Sequence, residues 1–89
     1  MYYIRFLVKS DSVNNLTVKY TNYNNSTPIL NVKSNYNKSI NMYIMKFCVQ
    51  FTHTSVQDVY IEYELHNEIC LKKICITDKN FRDKYVLTL

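Results

Sequence analysis

The side chains with the most reactive chemistry in this sequence are Cys48, Cys70 and Cys75 and the imidazoles of His53 and His66. A thiol beside an imidazole makes a nucleophilic pair, and thiolates with imidazoles hold zinc. The spacing here suits neither. His66, Cys70 and Cys75 are separated by three and then four residues, and the chain has no Cys-x-x-Cys pair. Each cysteine has apolar neighbours: Phe47 and Val49, Ile69 and Leu71, Ile74 and Ile76. The pattern predicts buried, reduced, metal-free thiols that serve as small core residues.

Carboxylates gather at Asp58, Glu62, Glu64 and Glu68. Paired acids can do acid–base work. Here they alternate with Val59, Ile61, Tyr63 and Leu65, which marks the solvated face of a strand. A three-residue loop at residues 66–68 would set Leu65 against Ile69, Tyr63 against Leu71 and Glu62 against Lys72. The chain contains no glycine. Phosphate cradles, dinucleotide fingerprints and the Gly-x-Ser-x-Gly nucleophile elbow all need glycine, and they are excluded. No enzyme, cofactor or metal is expected.

Charge carries more information. Residues 1–52 hold six basic side chains and one acidic, and residues 53–89 hold five basic and six acidic. Strands at the start of the chain, if adjacent, would place Arg5, Lys9, Lys19 and Lys33 on one face with Tyr3 among them. With Tyr20 and Tyr23 these form the expected partner-binding set. Tyrosine supplies large contact area at low entropic cost, and lysine rims it. The primary expectation is a non-enzymatic interaction protein that binds or blocks a protein partner through this face or an exposed edge strand. The alternative is a small RNA-binding subunit of a ribonucleoprotein such as a ribosome, its lysines on phosphate.

The elements that must position these residues follow from periodicity. Residues 2–9 alternate, with Tyr2, Ile4, Phe6 and Val8 on one face. Residues 16–20 do the same with Leu16, Val18 and Tyr20, and the short connection suggests an antiparallel neighbour. Residues 29–33 form a short strand that Pro28 marks as an edge, and residues 34–39 read as a loop. Residues 40–52 fit two templates. As a strand, Tyr43, Met45, Phe47, Val49 and Phe51 share a face; as a helix, Ile40, Tyr43, Ile44, Phe47, Cys48 and Phe51 form a stripe with Ser39 as N-cap. β-branched and aromatic residues favour the strand. Residues 56–65 and 69–77 make a hairpin, with a bulge at residues 72–73 to restore the phase of Ile74 and Ile76. Residues 78–84 read as a polar turn or one helical turn, and 85–89 as a last short strand. The expected core is Ile4, Phe6, Val18, Phe47, Val49, Ile61, Tyr63 and Leu71.

The expected fold is therefore all-β, with six or seven short antiparallel strands in a small sandwich or barrel. The alternative is an α+β fold with one helix near residues 40–51 packed on a sheet. At 89 residues the chain has room for one domain. Asn, Lys, Ile and Tyr abound while Gly, Ala and Trp are absent, the signature of an AT-rich genome such as that of a virus or parasite. Positions with positive φ must then fall to Asn, Asp or His. The clusters at residues 14–15, 22–25, 35–37 and Asn67 are the expected turns. No apolar run approaches the ~20 residues of a membrane span or reads as a secretion signal. An odd cysteine count agrees with an intracellular, cytoplasmic setting.

Overall fold

Alternation of apolar and polar residues builds most strands of the computed structural model, which describes residues 2–20, 27–51, 57–77 and 82–89. Eight strands follow in order: β1 (Tyr2–Ser10), β2 (Asn15–Tyr20), β3 (Ile29–Lys33), β4 (Asn35–Asn37), β5 (Met42–Phe51), β6 (Gln57–Leu65), β7 (Glu68–Ile76) and β8 (Lys84–Thr88). They form two four-stranded sheets, β4-β5-β1-β8 and β3-β2-β6-β7, packed face to face as a sandwich. No helix occurs among the described residues, and none long and apolar enough to cross a membrane.

Residues 42–51 are a strand because both flanks are used. β5 pairs antiparallel with β1 from Tyr2↔Phe51 to Ser10↔Tyr43, and with β4 from Asn35↔Ile44 to Asn37↔Met42. A helix would forgo both ladders. β4 was expected to be loop. It pairs because Ser34 alone carries the chain from β3 in one sheet to β4 in the other.

The expected pairing of the first two strands does not occur. Ser10 is the last residue of β1, and after four intervening residues β2 begins in the opposite sheet. The buried Ser10 Oγ accepts the backbone N–H groups of Ser12 (3.2 Å) and Val13 (2.9 Å), which turns the chain across the core. Val13 is buried in that corner. The arch sets the apolar face of β1 against that of β2, where a flat hairpin would leave both uncovered. β1 is instead flanked by β5 and by β8, and β8 runs parallel to it from Arg5↔Lys84 to Lys9↔Thr88. That pair is the exception to the expected all-antiparallel arrangement.

Ile4, Phe6, Val8, Val13, Leu16, Val18, Tyr20, Met45, Val49, Phe51, Val59, Ile61 and Ile76 form the core. Phe47 and Tyr63 pack against it, half-buried. Leu71 does not: it is 63% exposed. The cause is the β6–β7 turn. His66 (φ 52°) and Asn67 (φ 64°) make a two-residue turn of type I′. Leu65 therefore faces Glu68, Tyr63 faces Cys70, Glu62 faces Leu71 and Ile61 faces Lys72. One residue fewer in the loop turns Ile69 and Leu71 outward and brings Ile74 and Ile76 into phase with no bulge. The expected Glu62–Lys72 pair is replaced by Lys73 Nζ on Asp58 Oδ2 at 3.7 Å.

Among the described residues, positive φ occurs at Asn41, His66 and Asn67. Asn15 and residues 35–37, expected as turns, lie within β2 and β4. Tyr23, His53 and the asparagines at residues 22–25 lie outside the described residues. So do Val56, the expected start of the hairpin, and most of the turn at residues 78–84.

Ile61 sits fully buried at the centre of the core, so Ile61→Ala should cost about 2–4 kcal/mol through the cavity it leaves. Ser10→Ala should cost roughly 1–3 kcal/mol, since it strands the Val13 N–H at a buried corner and removes the acceptor of the more exposed Ser12 N–H. Asp11→Ala, one residue along and exposed, should cost under about 0.5 kcal/mol. Urea melts of the three variants would measure this contrast.

Candidate functional site

Period-two alternation sends half of each strand to the outer surface, and the two outer faces differ in charge. The strands of the β4-β5-β1-β8 sheet contain no Asp or Glu. Their outward positions follow from the ladder registers. Arg5 lies between Cys48 on β5 and Lys84 on β8. Leu7 lies between Lys46 and Val86, and Lys9 between Ile44 and Thr88. Tyr3 sits at the end of β1 beside Gln50, 58% exposed. Arg5, Lys9, Lys46 and Lys84 thus surround an aliphatic centre of Leu7, Ile44 and Val86. A shallow depression of about 470 Å³ lies among Arg5, Leu7, Lys46, Cys48 and Lys84. Asp83 Oδ2 lies 3.9 Å from Arg5 at the edge of this face. Both side chains are solvated, so the pair is worth about 0–1 kcal/mol and leaves the face basic.

The outer face of the β3-β2-β6-β7 sheet is mixed. Lys19 lies between Ile29 and Tyr60, and Tyr60 lies in turn beside Lys73. The Lys73 ammonium stands 6.0 Å over the Tyr60 ring and also reaches Asp58, whose Oδ2 accepts the Tyr60 hydroxyl at 3.4 Å. Asp58 Oδ1 is shielded from solvent with no partner among the described residues. Thr17 faces Glu62, and Lys33 faces Asn15. Positive charge on this face is answered by Asp58, Glu62 and Glu64.

The residues expected to form one partner-binding face are therefore divided. Tyr3, Arg5 and Lys9 stay together on one sheet, and Lys19 and Lys33 lie on the other. Tyr20 is in the core, 8% exposed, with its ring edge-on to Phe51 at 6.1 Å. Alternation within β2 puts it there, on the same face as Leu16 and Val18. Lys46, Lys84, Leu7 and Val86 complete the basic face. Their outward phase is legible from alternation, but only strand order shows that β5 and β8 flank β1.

The thiols also differ from expectation. Cys48 and Cys75 are exposed, Cys70 is half-buried, and none of the three is in a disulfide. Apolar sequence neighbours misled because adjacent residues of a strand point to opposite faces. Among the described residues no group of three or more His, Cys, Asp or Glu side chains converges as a metal site. Compared with family models, curated proteins and solved structures, the chain matches none. Its function has to be read from its own surfaces.

Burial, and after it the nearby Cys48 thiol, pushes the Tyr20 phenol above its ordinary value of 10.0. The unfolded chain thus loses this proton at a lower pH than the folded one. The stability it represents is intact below pH 10 and is lost as pH rises through the folded value. Tyr20→Phe cannot ionise. Between about pH 9 and about pH 11 it should lose less stability than the natural chain. Denaturant melts across that range would measure the difference in slope.

Proposed function

We propose that this chain is a non-enzymatic binding protein that docks an acidic protein surface on the outer face of the β4-β5-β1-β8 sheet. The observation that carries the reading is the ring of Arg5, Lys9, Lys46 and Lys84 around Leu7, Ile44 and Val86, in a sheet whose strands hold no carboxylate. An apolar centre with a charged rim is the anatomy of a protein interface. The cations select an acidic partner and speed encounter, and the aliphatic centre supplies the water-excluding contact.

RNA binding is the second reading, supported by the same positive charge. Single-stranded nucleic acid is held by aromatic stacking as well as phosphate contact. On this face the outward aromatic ring of the central strand is Tyr3, at its end, and the centre is aliphatic. Such a centre favours a protein partner. An AT-rich composition and three cysteines outside any disulfide suit an intracellular factor of viral or parasite origin that occupies a host component.

The test uses two labelled probes: a peptide alternating Glu and Leu, and a single-stranded RNA oligomer of equal charge. The peptide should bind, and amide shifts should map to Leu7, Lys46, Lys84 and Val86. The double substitution Lys46→Glu with Lys84→Glu should weaken it roughly tenfold or more, since it inverts charge on both sides of Leu7. Tighter binding of the RNA, with the steep salt dependence of phosphate contacts, would decide for the second reading. Failure of both probes to bind would overturn the surface as a docking site.

A further inference from the structure

The edge strand β7 presents a different surface. It is nine residues long and pairs only with β6; no described strand covers its other side. Its hydrogen-bonding phase follows from the turn. In a two-residue type I′ hairpin the closing residues, here Leu65 and Glu68, exchange both backbone bonds. Glu68, Cys70 and Lys72 then bond toward β6, and the N–H and C=O groups of Ile69 and Leu71 point to the open edge. The same two residues carry the most exposed large aliphatic side chains of the strand, at 74% and 63%.

We propose that β7 pairs with β7 of a second copy of this chain, antiparallel about a two-fold axis at Cys70. The two β3-β2-β6-β7 sheets would then join into one continuous sheet across the dimer. Antiparallel partners must share a face, which limits the choice of register. An axis at Lys72 would oppose two ammonium groups. An axis at Leu71 would oppose Ile69 to Lys73 and Cys70 to Lys72. An axis at Cys70 opposes Ile69 to Leu71 and Glu68 to Lys72, each twice by symmetry. It matches apolar with apolar and acid with base, and it engages the backbone groups of Ile69 and Leu71 that the hairpin leaves open. Lys72 points inward from an edge strand, a device that ordinarily discourages pairing. Here it selects the one register in which Glu68 of the partner meets it. Isologous pairing closes on itself, so the result is a dimer and not a filament through this edge.

Sedimentation of the full chain over a concentration series should show a monomer–dimer equilibrium. Glu68→Lys and Lys72→Glu, each alone, set like charges opposite one another twice and should weaken the dimer roughly tenfold. Combined, they should restore it. These positions are exposed or half-exposed, so the fold is retained, which circular dichroism would verify. Cys70 faces itself across a non-hydrogen-bonded pair, with Cα atoms about 4.5 Å apart, within the span of a disulfide. Mild oxidation with copper phenanthroline should therefore link two chains at Cys70, the thiols giving up two protons and two electrons to the oxidant. A monomer at the highest soluble concentration would overturn the proposal. So would a dimer indifferent to the single charge changes, or one that crosslinks through Cys48 or Cys75 in place of Cys70. Lys46→Glu with Lys84→Glu lies on the other sheet and should leave the dimer unchanged, which separates this result from the fate of the acidic-partner reading.

Discussion

Phe6 lies in the middle of β1 with the ring of Phe47 stacked 4.8 Å away on β5 and that of Tyr85 stacked 5.3 Å away on β8. The three residues are direct cross-strand partners, Phe6↔Phe47 and Phe6↔Tyr85. The row ties an antiparallel and a parallel neighbour to the same strand. Its inward side is buried with Ile4 and Val8 against the opposite sheet. Burying side chains of this size stabilises by about 1.5–3 kcal/mol each, and aromatic pairs add roughly 0.5–1.5 kcal/mol. Once β1 is held this way its phase cannot slip. Arg5, Leu7 and Lys9 are then obliged to face outward between Lys46 and Cys48 on one side and Lys84 and Val86 on the other.

A chain without glycine must make its turns from side chains that tolerate positive φ or that bond to their own backbone. Asn41, His66 and Asn67 do the first. Ser10 and Asn37 do the second. The Asn37 Oδ1 accepts the Ser39 N–H at 2.9 Å and shapes the β4–β5 turn. The consequence at residues 66–67 reaches well beyond the turn. A two-residue loop decides which face of β7 is apolar-in, and so leaves Ile69 and Leu71 at an open edge.

Separation of charge between the sheets is the other organising feature. Every carboxylate that lies in a strand belongs to β6 or β7, both in the same sheet. Among the described residues, the one ion pair of the opposite sheet's cations is the solvated contact of Arg5 with Asp83. A small sandwich gains little stability from four like charges on one face, and mutual repulsion costs some.

Much of the fold was legible in the residues themselves. Alternation identified the strands around Phe6, Val18, Phe47 and Ile61 and named most of the buried side chains, because a strand exposed on one face must repeat every second residue. The choice of strand over helix at residues 42–51 followed from β-branched and aromatic content. What alternation cannot encode is which strands lie side by side. Arg5 and Lys19 look equivalent along the chain, each a cation flanked by apolar residues. The arch at Ser10 puts them on opposite outer faces. The phase of β7 was equally hidden. Two apolar pairs, Ile69 with Leu71 and Ile74 with Ile76, compete for the core out of step with one another. Only the pairing of β7 with β6, set by the φ values at His66 and Asn67, decides for the second pair. Local periodicity is a property of one strand, whereas neighbours and register are settled by burial between strands far apart in the chain.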